Sequence, residues 1–421
     1  MKRATPLVVG LVLCCAIAAQ SAVAPRVQTQ SLQMTSIQKI GVITRSQLLQ
    51  QLNKQVQMEG YFFQSGIPIL VQNLELLQHD QPIPPDKYVP ITGPIPSSFK
   101  PGAKVRIGGQ VQRPTGEKFQ GENLALNLTA QAQASILQAP PSAILNLGNL
   151  AVAAVPPPPT PNAHRYALLI GGGMNPANDF SRYWNDQVRM YQLLISKGYN
   201  PANIRVAHAN GVPKTASMPV HYPATMAGIT AAFTYFVPKV HADDQIYILV
   251  VGQSALAGQP TIYWTWPGMP MTPPMLAFQV NRIATYQRMI VHLHYPFCGA
   301  FIPYLRRPNR VIVAAAAADK KTSPHPSLYY GNFNYWYISA LRGHLLFGEV
   351  PVNADTNGNG QVSIAEAYNF TLPRPGGPSA IGIIPPISFQ MPQFEDNGAP
   401  PSRFGPLPGA GEGLVGVLTY L

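Results

Sequence analysis

Between Asp355 and Glu366 the chain reads Asp-Thr-Asn-Gly-Asn-Gly-Gln-Val-Ser-Ile-Ala-Glu. Asp355, Asn357 and Asn359 offer side-chain oxygens at positions 1, 3 and 5 of a twelve-residue loop. Gly360 takes the turn, Gln361 offers its backbone carbonyl, Ser363 stands at position 9, and Glu366 closes the set with two carboxylate oxygens. A hard cation needs this many oxygens at nearly equal distances, and the spacing is that of an EF-hand calcium loop. Val362 and Ile364 flank Ser363 as an apolar pair that packs the loop, and Ala365 starts a helix. The competing explanation is an Asn/Gly-rich turn. Only Asp355 and Glu366 carry charge, so the expected affinity is modest, roughly 10⁻⁴ to 10⁻³ M. One loop without a partner loop suits a structural brace better than a cooperative sensor.

The other reactive group is a thiol. Cys14 and Cys15 lie in residues 1–24, which read as a secretory signal. Lys2 and Arg3 form its charged start, Leu7 to Ala19 an apolar run too short to span a bilayer, and small residues up to Ala24 a cleavage region. A cut near Ala18 or Ala22 fits equally well, because Pro25 follows Ala24. Leu13 is not the small residue that a lipid anchor on Cys14 requires. The expected location is secreted or periplasmic, with Cys298 as the one remaining cysteine. Such a chain forms no internal disulfide and relies on its core and any bound metal for stability. Cys298 is then either a small buried hydrophobe or a reactive nucleophile.

The formal charge of +12 invites a nucleic-acid reading, but only 11% of residues are charged and the basic ones are scattered, Arg306-Arg307 being the densest pair. Diffuse charge gives weak surface attraction and no binding groove, so no nucleic-acid partner is expected. No stretch after the signal is apolar enough to cross a membrane.

The elements that must position these groups fall into two sets. After a Gln-rich lead-in at 25–37, residues 38–138 show short β-like runs broken by Gly and Pro, with a short helix at Ser46–Leu52. The runs near Val56, Ile67, Val105 and Leu124 predict a small all-β barrel, and the Gly-broken strand from Lys104 to Val111 resembles part of an oligonucleotide/oligosaccharide-binding (OB) barrel. No aromatic stacking series or basic groove accompanies it. Pro140-Pro141 and Pro156 to Pro159 mark an extended linker at 139–163. From 164 to 421 strands alternate with helices. Tyr166–Ile170, Ile204–His208, Gln245–Val251, Ile290–Leu293 and Arg310–Ala316 are strands; Asp179–Lys197, Ala224–Phe236 and Phe333–His344 are helices. This order predicts an α/β domain with a mostly parallel sheet, whose functional groups gather beyond the carboxyl ends of the strands. Those ends are Gly171–Asp186, Gly252–Gly258 and Tyr295–Phe301.

At those ends the motifs resemble the legumain/caspase-like cysteine peptidases, especially prokaryotic legumain-related proteins, over about Arg165 to Leu421. Arg165-Tyr-Ala-Leu-Leu-Ile-Gly-Gly-Gly with Arg182-Tyr-Trp-Asn-Asp186 is similar to the family's first strand, loop and helix. Asp243 to Val251 resembles the strand leading to the catalytic histidine, and Met289 to Ile302 the strand leading to the catalytic cysteine. Asn309 to Asp319 is similar to the strand after it, and Pro392 to Gly398 to a late segment. The family places His-Gly after the first of these strands and Cys-x-Ser-Gly-Gly-Phe after the second. Here Gln253-Ser254 stands at the first position. At the second, Gly299-Ala300-Phe301 aligns with Gly-Gly-Phe, which puts Pro296 at the nucleophile and Cys298 at the serine.

A glutamine amide is no base near neutral pH, and proline offers no nucleophile. The resemblance therefore implies a caspase-like sheet flanked by helices, preceded by the barrel, with no catalytic dyad. Cys298, two residues on from Pro296, could face the same side of an extended strand end, but it would need a base. His292 and His294 lie further back on that strand; His208, His241 and His325 are not placed by sequence. Arg182 matches a family arginine of the pocket for an acidic or amide side chain; it either recognises a peptide there or holds Asp186. Tyr329, Tyr330, Phe333, Tyr335, Trp336 and Tyr337 read as core, and Trp264 and Trp266 begin an insertion reaching Met275 that forms an apolar lid or contact surface. The expected function is an exported calcium-binding pseudo-peptidase that holds an unidentified peptide or protein. The alternatives are an active cysteine endopeptidase using Cys298 and a structural envelope or matrix scaffold.

Overall fold

The computed structural model describes residues 38–41, 45–64, 66–77, 83–115, 124–128, 134–139, 165–256, 261–372, 390–396, 415–417 and 419–421. The expected signal at 1–24, lead-in at 25–37 and prolines at 140–141 and 156–159 lie outside the described residues.

The first set of elements is β1 (Gln38–Gly41), α1 (Arg45–Leu49), β2 (Gln55–Gln64), β3 (Pro68–Val71), β4 (Tyr88–Thr92), β5 (Lys104–Gln112), β6 (Ala125–Asn127) and β7 (Ala134–Gln138). Strands β2, β3, β4, β6 and β5 pair in that order, and β5 pairs back onto β2 along Gln55–Tyr61, which closes a five-stranded barrel. Closure follows from the alternation of side chains: Val56, Met58 and Phe62 of β2 and Val105, Ile107 and Val111 of β5 point inward and bury together with Leu70, Ile91 and Leu126. Glycine is required at 109, where a Cβ would stand 2.3 Å from the Asn127 carbonyl oxygen. The outward residues of the same wall are also buried. Phe63, Ile67, Ile69 and Val71 share one apolar cluster with the α/β core. Phe63 meets Phe180 edge to face at 5.2 Å, Ser181 Oγ donates to the Gln64 carbonyl at 2.6 Å, and Ile83 N donates to Asn178 Oδ1 at 2.6 Å.

The second set runs β8 (Arg165–Gly172), α2 (Ser181–Ser196), β9 (Ile204–His208), α3 (Met226–Phe236), β10 (Gln245–Gly252), β11 (Ser254–Leu256), β12 (Thr261–Thr265), β13 (Met269–Met271), α4 (Pro273–Asn281), β14 (Arg288–His294), α5 (Ile302–Leu305), β15 (Arg310–Ala314), α6 (Asn332–Arg342), α7 (Ile364–Thr371) and β16 (Gln393–Asp396). Its sheet has the order β16-β15-β14-β10-β8-β9, parallel throughout except for the antiparallel edge strand β16. The fold is thus mixed α/β with a closed barrel before a mostly parallel sheet. The central strands are continuous apolar runs because helices cover both faces. Tyr166 of β8 meets Phe236 of α3, while Tyr247 of β10, one pleat out of phase, bonds to His292, whose ring packs on Tyr337 of α6. Hence α3 lies on one face and α6 on the other.

Helix α2 is buried nearly all round, because β8 and β10, α6 and the ring of Phe63 all press on it. Phe333, Tyr335, Trp336 and Tyr337 are core side chains, as their spacing suggested. His325 stacks on Tyr335 at 4.0 Å and bonds through Nδ1 to Ser327 Oγ. Burial pushes its imidazole down to about 3. The unfolded chain protonates that ring near pH 6.5, so the stability gained by keeping it neutral is intact above about 6.5 and is lost as pH falls from there towards about 3. The slope is about 1.4 kcal/mol per pH unit. His208 and His292, lowered in the same direction by burial, steepen it. Urea midpoints measured from neutral to mildly acidic pH should fall steadily, and His325→Gln should flatten that fall. A wild-type midpoint independent of pH would contradict the burial argument.

Candidate functional site

The carboxyl ends of β8, β10 and β14 converge, as parallel strands require. Gln253 follows β10 directly and is fully buried. Its Oε1 accepts a long bond from Met174 N at 3.4 Å, and its Nε2 has no hydrogen-bond partner among the described residues. Ser254 Oγ donates to the Pro296 carbonyl, so the residue after the position where the resemblance seeks a histidine is tied to the position where it seeks a cysteine. The expected insertion forms the small antiparallel sheet β11-β12-β13. It lies against this point: Trp264 N donates to the Gln253 carbonyl, and Tyr263 packs on Tyr295 with ring centres 5.0 Å apart.

Cys298 does not share a side with Pro296. Strand β14 ends at His294, Phe297 adopts a left-handed backbone with φ 60°, and a 3₁₀ turn begins at Cys298. The two-residue alternation of an extended strand therefore stops before it reaches the thiol. Sγ turns back beneath the sheet end, 3.5 Å from the carbonyl oxygens of Leu293 and Ala316, and accepts from Ala316 N at 3.3 Å. Burial pushes the thiol up to about 11, which leaves almost no thiolate near neutral pH.

The histidines are equally enclosed. His292 and His294 point under the sheet towards α6. His292 Nδ1 lies 2.8 Å from Tyr247 Oη and its ring packs on Tyr337; His294 Nδ1 lies 4.0 Å from Asp186 Oδ2. The Asp186 carboxylate accepts from Gly331 N at 3.2 Å and from Asn334 Nδ2 at 2.9 Å. Gly331 must be glycine, since a Cβ there would meet the His294 ring at 2.1 Å. Arg182 is fully buried, with its guanidinium 4.0 Å above the ring of Phe180 and 5.7 Å from that of Phe63. Arg182 and Asp186, expected at a pocket or as a local pair, are both fully buried.

A charged cluster that sequence reasoning missed seats the loop after β8. Asp179 Oδ2 lies 2.8 Å from Lys214 Nζ, Oδ1 accepts from Gly173 N at 3.1 Å, and His208 Nε2 stands 3.6 Å away. His208 Nδ1 donates to Gln187 Oε1 at 2.6 Å. Burial alone would raise the Asp179 carboxyl, but Lys214 and His208 outweigh it and hold it well below the usual carboxylate range. The missing signal was long-range: Lys214 sits in a loop with no motif of its own.

The loop from Asp355 to Glu366 lies between α6 and α7. Asp355 Oδ1 accepts from Gly358 N at 2.8 Å and Oδ2 from Gly360 N at 2.8 Å. Gly358 and Gly360 both have positive φ, 71° and 81°. Asn357 Oδ1 accepts from Asn359 N, and Asn359 Oδ1 from Gln361 N. Glu366 reaches in from the other end: Oε1 accepts from Thr356 N and Asn357 N, and Oε2 from Ser363 N. Ser363 Oγ caps α7 by accepting from Glu366 N, completing a capping box. Both carboxylates and the Asn357, Asn359 and Ser363 oxygens thus belong to one loop, which fits a hard oxygen-seeking cation. Among the described residues no three His, Cys, Asp or Glu gather as a metal cluster, so any cation here depends on neutral donors beside two charges. Ile364 N also donates to the Thr419 carbonyl, and Asn359 Nδ2 to Tyr420 Oη, which ties the loop to the segment around Tyr420.

No protein-family model matches the chain, and no curated protein matches it. Among solved structures, the crystal structure of protein GSU0716 from Geobacter sulfurreducens is similar at a TM-score of 0.37 and 11% identity, over 57% of this chain and 96% of that one. No helix among the described residues is long and apolar enough to cross a membrane.

Proposed function

We propose that this chain is an exported, calcium-binding pseudo-peptidase of the legumain/caspase-like type, which holds a peptide or protein without cleaving it. The observation that carries this reading is the bond from Ser254 to the Pro296 carbonyl, with Gln253 buried beside it. Gln253 and Pro296, at the two positions that would have to face a scissile bond, offer neither base nor nucleophile, and Ser254 closes the space between them. In this reading the family's chemistry is lost while its sheet remains as a platform. The barrel, taken as OB-like, supports it as a docking module through the shared apolar cluster. The loop at 355–366 supports calcium as the resident ion, held by Asp355, Asn357, Asn359, the Gln361 carbonyl, Ser363 and Glu366. Calcium there contributes charge and rigidity; the chain's own part is to supply oxygens and to cap α7. Export rests on the pattern of residues 1–24.

An active enzyme using Cys298 has the geometry against it, because the thiol is buried and raised and its hydrogen-bond partners are the backbone groups of Leu293 and Ala316. The test is to incubate the mature protein with calcium, asparaginyl, aspartyl and arginyl fluorogenic peptides, and a thiol-reactive probe. No turnover is expected, and Cys298 should stay unlabelled until the protein is unfolded. Calcium-stimulated cleavage abolished by Cys298→Ala would overturn the proposal.

A further inference from the structure

A second surface lies on helices α4 and α5, which lead from the carboxyl side of the sheet down to the starts of β14 and β15. Helix α4 buries Leu276, Ala277 and Val280 but leaves Met275 40% and Phe278 67% exposed. These two are three residues apart and therefore neighbours on one side of the helix. Phe278 is the most exposed large hydrophobic side chain among the described residues. Helix α5 packs against α4 and presents Tyr304, 48% exposed, directly before the exposed pair Arg306 and Arg307. The corner is held together: Arg307 Nε donates to Asn281 Oδ1 at 2.9 Å, one turn along α4 from Phe278, and Arg288 Nη1 reaches Asn309 Oδ1 at 3.4 Å.

The charge of this region is one-sided. From Gln245 to Ala318 the sequence contains no Asp or Glu, against Arg282, Arg288, Arg306, Arg307 and Arg310. Asp243 and Asp244 precede β10 on the far side of Arg288, which therefore marks the border of the basic face. Protruding Phe, Met and Tyr side chains beside uncompensated arginines match the interface of an anionic bilayer. Apolar groups enter the headgroup boundary there, aromatic rings with a polar tip sit at its level, and guanidinium groups meet lipid phosphates. A nucleic acid would use the arginines alone and leave Met275 and Phe278 in water.

We propose that the α4–α5 corner, built from Met275, Phe278, Tyr304, Arg306 and Arg307, is a peripheral docking surface for an anionic lipid bilayer. The protein touches the membrane without spanning it.

Co-sedimentation of the full chain with phosphatidylcholine vesicles, with and without phosphatidylglycerol, tests this. Binding is expected only with the anionic lipid and should weaken as salt is raised. Arg306→Gln/Arg307→Gln should weaken it about tenfold, and Phe278→Ser by a similar factor, about tenfold. Lys54→Gln/Lys100→Gln, which removes the same charge from exposed barrel positions, should change nothing. Met275→Ser is the second apolar variant, and unchanged melting temperatures confirm that the variants fold. Failure to bind anionic vesicles overturns the proposal. So does binding that survives Phe278→Ser and Met275→Ser, binding lost equally in the barrel variant, or a preference for duplex nucleic acid over vesicles.

Discussion

Asp179→Ala is expected to destabilise the protein by about 3–5 kcal/mol, the usual result of removing one partner from a buried charge pair. Asp179 is almost fully buried, and its carboxylate faces Lys214, Gly173 N and His208 together. Truncation leaves the Gly173 N–H without that acceptor and the Lys214 ammonium, whose side chain is only one-fifth exposed, with just the Asp179 backbone carbonyl at 2.7 Å. Asp179→Asn keeps an acceptor for Gly173 and should cost less. Lys214→Met leaves a buried carboxylate unpaired, so the double variant Asp179→Ala/Lys214→Met should cost less than the sum of the two singles. The sign with pH follows from the lowered carboxyl. The contribution is present above about pH 4, where an unfolded aspartate ionises, and is lost as pH falls towards the lower folded value. Denaturant unfolding at neutral pH checks this. A variant Asp179→Ala as stable as wild type would show that the cluster is not a determinant of the loop after β8. Because Gly173 and Met174 form that loop and Met174 N meets Gln253, the same variant should also loosen the packing around the buried Gln253.

How far the sequence reached can be judged at particular residues. Strand β9 was legible to the residue, and β10 and β14 to within two, because a strand covered on both faces must be a continuous apolar run. The barrel strands near Val56 and Val105 were legible from period-two alternation. The barrel they imply is present; which strands close it was not legible, since that depends on β5 pairing with both β2 and β6, a fact of tertiary register. The position of Cys298 failed for a local reason: one left-handed residue, Phe297, ended the alternation on which its placement relied. Arg182 and Asp186 were correctly found to share the opening turns of a helix near the sheet's carboxyl end. Their burial came from Phe63 of the barrel and from Gly331, which are 119 and 145 residues distant from them. Side chains that sequence reasoning assigns to an open cleft are the ones that a distant element covers.

Calcium at the 355–366 loop should raise the melting temperature of the α/β domain, and chelation should lower it again. With an affinity of roughly 10⁻⁴ to 10⁻³ M, calcium at tenfold excess over its dissociation constant stabilises by about 1.4 kcal/mol. For a domain of this size that is a shift of about 3–5 °C. The modest affinity expected for calcium would have a structural cause. Both carboxylates are already engaged by loop N–H groups, Asp355 by Gly358, Asn359 and Gly360, and Glu366 by Thr356, Asn357 and Ser363, so the ion must compete with these donors. Those bonds, with the Thr356 and Ser363 hydroxyls, also hold the Glu366 carboxyl below its usual range against the raising effect of burial. Two variants separate ion binding from local architecture. Glu366→Gln keeps an acceptor for the Ser363 cap and removes the charge; it should abolish the calcium-dependent shift and lower the metal-free melting temperature less than Glu366→Ala does. Glu366→Ala removes the capping box as well and should cost about 1 kcal/mol without calcium. The segment around Tyr420 donates no ligand but bonds to Asn359 and Ile364, so its protection from amide exchange should rise with calcium in wild type and not in Glu366→Gln. An equal calcium shift in wild type and Glu366→Gln, or none in either, would reduce the loop to an Asn/Gly-rich turn whose oxygens serve only its own backbone.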